Sequence, residues 1–124
     1  MRGSYTDDDI ARLQNCLAAI RLTGGWSSET FGNMMGVSKS TISNLENGKV
    51  AMSKSRYESI RAVLNKESKK SKDNYLSTMI SILTDRNLPE SKIEAIKAFV
   101  MGASISKLSK DSIIASVKAI ASKE

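Results

Sequence analysis

A chain of 124 residues with 19 Lys plus Arg against 13 Asp plus Glu, net charge +6, no His, one Cys and one Pro excludes several chemistries at once. Without His it can build neither a Ser-His-Asp triad nor a Cys-His pair, and the lone Cys16 rules out an intrachain disulfide or a thiolate zinc cluster, so no metal and no cofactor is expected. No run approaches the roughly 20 apolar residues that span a bilayer, and the N-terminus lacks an apolar signal block, which points to a cytoplasmic protein without a membrane partner.

Low aromatic content and abundant Ala, Ile, Leu, Met and Lys favour an all-α chain, and the apolar spacings agree. Met1-Arg2-Gly3-Ser4 resembles an expression-tag remnant and is assigned no role. Thr6 ahead of Asp7, Asp8 and Asp9 predicts a helix start, since a hydroxyl caps free N–H groups and carboxylates favour the positive end of the helix dipole. Three adjacent Asp could also suggest a cation site, but consecutive helical residues point in different directions, which favours capping. Ile10, Leu13, Leu17 and Ile20 then form an apolar stripe that Thr23-Gly24-Gly25 ends, with Cys16 beside it as a small, half-buried apolar residue without a redox role.

Two short helices follow. Ser27 is expected to cap one through about Met34, burying Phe31 and Met34 or Met35; Gly36 makes a turn; Ser38 caps the next through about Glu46, which Asn47-Gly48 ends. In this second helix Val37, Ile42 and Leu45 are apolar, leaving a wide polar face of Lys39, Ser40, Thr41, Ser43 and Asn44. Trp26 and Phe31 read as core anchors, because the basic residues are not interleaved with aromatics. Glu46 reads as a group that holds the turn, since DNA would repel it.

A further helix is expected from about Ser53 to Leu64, with Tyr57, Ile60, Val63 and Leu64 inward and Met52 as a staple. The charged run Lys66 to Lys72 breaks the pattern. Beyond it come amphipathic helices over about Asn74–Asp85 (Leu76, Met79, Ile80, Leu83), Pro89–Met101 (Ile93, Ile96, Phe99, Val100) and Ser109–Ser122 (Ile113, Val117, Ile120), with Pro89 in a first turn and Gly102 at a helix end.

The charge is local. Residues 36–72 hold nine basic and three acidic groups, whereas residues 1–35 and 73–124 are close to neutral. A concentrated basic window suggests a polyanion partner, and a solvated Lys-rich linker accounts for part of it.

Two short helices joined at a Gly-containing turn form a helix-turn-helix pattern, whose second helix can lie in a DNA major groove. The stretch Gly25-Trp26-Ser27-Ser28-Glu29-Thr30-Phe31-Gly32, then Met35-Gly36-Val37-Ser38-Lys39-Ser40-Thr41-Ile42-Ser43-Asn44-Leu45-Glu46-Asn47-Gly48-Lys49, resembles the Xre-type, phage-repressor-like helix-turn-helix family over about residues 6–65. The resemblance implies a five-helix, lambda-repressor-like DNA-binding bundle, commonly a dimeric transcriptional repressor. It implies that Lys39, Ser40 and Asn44 face base edges, that Thr41 and Ser43 stand at the groove wall, and that Ser38, Asn47 and Lys49 contact phosphate. Two positions depart from the pattern. Ser28 replaces a longer Gln and retains a phosphate contact from a helix start, and Gly32 replaces an Ala where the helices cross.

Chemistry supports the assignment: Asn pairs bidentately with adenine, Lys donates to guanine, and Ser and Thr discriminate less. Lys49, Lys54, Arg56 and Arg61 can neutralise phosphate, with pairing to Glu58 an alternative for Arg61. The expected organisation is a DNA-binding domain over 1–65, a Lys-rich linker over 66–73, and a three-helix dimerisation or accessory region over 74–124. A single recognition helix reads few base pairs, so a homodimer through 74–124 is expected on double-stranded DNA, the alternative being that these helices complete the monomer's core. Removing 73–124 is then expected to weaken binding with little loss of charge. A second function class is an antitoxin-like module whose C-terminal helices bind a partner protein. An enzyme is least favoured, since the carboxylates sit at helix starts or on mixed-charge faces.

Overall fold

A computed structural model describes residues 5–122; the run Met1-Arg2-Gly3-Ser4 lies outside the described residues. Seven helices and no strand are described: α1 (Asp7–Gly24), α2 (Ser28–Met35), α3 (Lys39–Glu46), α4 (Lys54–Lys70), α5 (Tyr75–Leu83), α6 (Glu90–Ser106) and α7 (Lys110–Ser122). The chain is therefore all-α, an N-terminal helix-turn-helix bundle followed by three helices.

Hydroxyl caps set most of the starts. The side chains of Thr6, Ser27, Ser38 and Ser53 accept the N–H of Asp9, Thr30, Thr41 and Arg56, and Ser109 accepts that of Ser112 at 3.2 Å, each satisfying a donor the helix leaves free. At α1 the Asp9 carboxylate returns the bond to the Thr6 N–H at 2.9 Å, completing a capping box.

Two helices run past their expected ends. Residues 65–70 continue α4 because the segment contains neither Gly nor Pro, Lys70 pairs with Glu67 at 3.3 Å, and Lys69 and Lys70 sit at the negative end of the dipole. The break therefore narrows to Ser71–Asn74. Gly102 does not end α6: buried Ala103 carries the helix on against the core, and Lys107 closes it at φ 59°.

The core is one cluster running from Ile10 to Val117. At its centre is α1, which packs on α3 and α4 on one side and on α5 and α6 on the other. Cys16 is fully buried rather than half-buried, with Sγ 3.5 Å from the Leu83 carbonyl oxygen, and burial pushes its thiol up to about 11. Tyr75, Ala19 and Ala103 also join the core, whereas Tyr57, Val63, Phe99 and Ile120 are only partly buried. At the other end of α1, the Asp9 carboxylate takes Arg86 Nε at 3.0 Å and an Arg86 terminal nitrogen at 2.7 Å, tying the turn after α5 to the start of α1. The C-terminal helices thus complete the core that the first helix begins.

Candidate nucleic-acid interface

The α2–α3 pair depends on two glycines. Gly36 ends α2 in the left-handed region at φ 73°, which turns the chain within two residues into the cap of α3. Gly32 lies where α2 meets that turn: a Cβ there would come within 2.7 Å of the Val37 carbonyl oxygen. The departure from Ala noted in the sequence is thus a closer crossing than a methyl group allows.

Ile42 and Leu45 anchor α3 in the core. Its far end is fixed by two residues of α1. Arg21 donates from Nε and a terminal nitrogen to the Glu46 carboxylate at 2.6 and 3.2 Å, and to the Trp26 carbonyl at 3.0 Å. Gln14 donates to the carbonyls of Leu45 and Val50 at 3.0 and 2.7 Å and accepts the Met52 N–H at 3.0 Å, so one amide spans the loop between α3 and α4. Neither Gln14 nor Arg21 stood out in the sequence.

With its apolar side anchored, α3 turns a polar side outward. At about 100° per residue, Lys39, Ser40, Ser43, Asn44 and Asn47 share an arc of about 140°. Lys39, Ser40, Ser43 and Asn47 are exposed and Asn44 is half-buried. Thr41 lies off this arc, half-buried, its hydroxyl 3.0 Å from the Ser38 hydroxyl that caps the helix. Asn47 donates to the Ser43 hydroxyl at 3.4 Å. Ser28 occupies the first position of α2, half-buried.

Lys49, Lys54 and Arg61 are exposed and Arg56 is half-buried. Among the described residues none of these four, nor Lys39, belongs to an ion pair. The Arg61–Glu58 alternative does not form; Glu58 instead accepts the Tyr5 hydroxyl. By contrast the carboxylates held below their usual range are each engaged: Asp9 chiefly by Arg86, Asp73 by the Tyr75 N–H and then Lys110, and Glu94 by Asn15 and then Lys97. Among the described residues there is no group of acidic residues and Cys able to hold a metal, and no helix long and apolar enough to cross a membrane.

Residues 17–69, from the middle of α1 almost to the end of α4, match the family model described as Helix-turn-helix. No match to the chain was found among curated proteins or among solved structures. Residues 17–69 are therefore a helix-turn-helix domain of the Xre-type, phage-repressor-like kind, which supports a DNA-binding function of the transcription-regulator kind.

Proposed function

We propose that the protein is a sequence-specific repressor that binds a two-fold symmetric operator as a homodimer, with α3 in the major groove and its binding occluding a promoter. The observation that carries this reading is the anchored α3: Arg21 and Gln14 fix its far end, while its polar arc faces outward and Lys39, Lys49, Lys54 and Arg61 are exposed and outside any ion pair among the described residues. In this reading Lys39, Ser40 and Asn44 contact base edges. Ser43 lines the groove wall, and Ser28, Ser38, Asn47, Lys49 and Lys54 contact phosphate. Thr41 supports the wall through its bond to Ser38.

Selection of binding sites from random duplex DNA by the full chain tests this directly. An enriched inverted repeat, with half-site centres one helical turn (about 34 Å) or a multiple apart, is expected. Absence of any enriched sequence would contradict it.

A further inference from the structure

A cleft of about 550 Å³ opens along the seam between α4, the last helix of the helix-turn-helix bundle, and α5, the first of the C-terminal helices. Helical spacing sets its walls: Arg61, Leu64, Asn65 and Ser68 form one stripe of α4, and Ser77, Ile80, Ser81 and Asp85 one stripe running along and just past α5. The two helices run antiparallel. Tyr5 ahead of α1 reaches Glu58 near the start of α4, and Asp9 reaches Arg86 just past the end of α5, so those two ends lie together. Ser68 and Ser77 therefore stand toward the break at Ser71–Asn74, with Arg61 and Asp85 toward the open end. Buried Leu64 and Ile80 form an apolar floor beneath polar walls.

These polar groups are little used within the chain. Among the described residues the side chains of Arg61, Asn65, Ser68 and Ser81 make no hydrogen bond or ion pair, and Asp85 gives one carboxylate oxygen to the Asn87 N–H at 2.8 Å. Arg61 and Asp85 are the two charges of the lining, opposite in sign and not paired with each other. A solute with both signs matches them: its carboxylate suits the planar fork of the guanidinium, and its ammonium suits the remaining carboxylate oxygen. An anion alone would meet Asp85, and a cation alone would meet Arg61. The volume falls within the roughly 300–1,000 Å³ of small-molecule sites.

We propose that the cleft between α4 and α5 binds a free amino acid, its carboxylate on Arg61 and its ammonium on Asp85, with Asn65, Ser68 and Ser81 offering further hydrogen bonds. The ligand then bridges the DNA-binding module and the C-terminal helices. The site needs neither the operator nor the homodimer, and its test reads binding directly.

The twenty free amino acids, titrated singly into the full chain to millimolar concentration, test this by calorimetry and by melting temperature. At least one is expected to bind and to raise the melting temperature, as a ligand of the folded state does. Its N-acetyl and methyl ester forms, each lacking one charge, should bind at least about tenfold more weakly, as should the amino acid itself to Arg61→Gln and to Asp85→Asn. Both variants should melt like wild type without ligand, since neither side chain belongs to an ion pair. Lys118→Gln, which alters the neighbouring groove on the far flank of α5, should bind like wild type. No binding by any amino acid, unchanged affinity in the Arg61 and Asp85 variants, equal binding of the blocked forms, or loss of binding on Lys118→Gln would each overturn the proposal, and each leaves the DNA-binding reading untouched.

Discussion

The Arg21–Glu46 pair joins the first helix to the last residue of α3, with both side chains mostly withdrawn from water, 15% and 10% exposed. Removing one partner of such a pair strands the other, at about 3–5 kcal/mol. Glu46→Ala is therefore expected to lower unfolding free energy by that amount in urea titration and to weaken DNA binding at temperatures where the fold persists. Asp9 gives a pH signature. Arg86 first, then the Thr6 bonds, hold its carboxyl below the usual 3.8, so the folded protein binds that proton less readily than the unfolded chain. The resulting stabilisation is present above pH 4 and is lost as pH falls below it. Asp9→Asn should melt lower than wild type at neutral pH, with the gap closing in acid. The polar arc of α3 was legible from sequence because its spacing is local. Gln14 and Arg21 were not, since each looks like an ordinary polar residue at the margin of a helical stripe and its partner lies 25 to 38 positions away.

Helix starts were legible because each cap is a hydroxyl residue within three positions of the N–H it satisfies, as at Ser27, Ser38 and Ser53. Helix ends were less so. A charged run looks like a linker, yet Lys66–Lys70 has good helix formers and the dipole's favourable sign, and it remains helical. Gly102 looks like a stop signal, but Ala103 is buried and carries α6 onward. At the α2–α3 crossing, Gly32→Ala must push a methyl against the Val37 carbonyl, a cost of about 1–3 kcal/mol from overpacking that outweighs the roughly 1 kcal/mol of helix propensity gained. A lower melting temperature, with weaker DNA binding as α3 shifts, is expected.

Over the whole molecule, α1 serves two masses of core at once, the helix-turn-helix helices on one side and α5 and α6 on the other. Removing residues 73–124 would bare Cys16 and its neighbours, so deletion tests folding before it tests assembly, unlike the outcome expected from sequence alone. The charge is likewise distributed by module: the excess lies in residues 36–72, most of it on α4, with Lys49 and Lys72 supplying the rest and α3 neutral, Lys39 against Glu46. Affinity should therefore fall steeply with salt, log K against log salt having a slope of about −0.9 for each phosphate neutralised. The most direct measurement is that slope for operator and scrambled duplex, taken with wild type and with Lys39, Ser40 and Asn44 all changed to Ala. Wild type should prefer the operator, and the triple variant should lose that preference, with affinity for both duplexes near the scrambled value and a slope shallower by no more than about one phosphate contact. A triple variant that still prefers the operator as wild type does would contradict readout by α3.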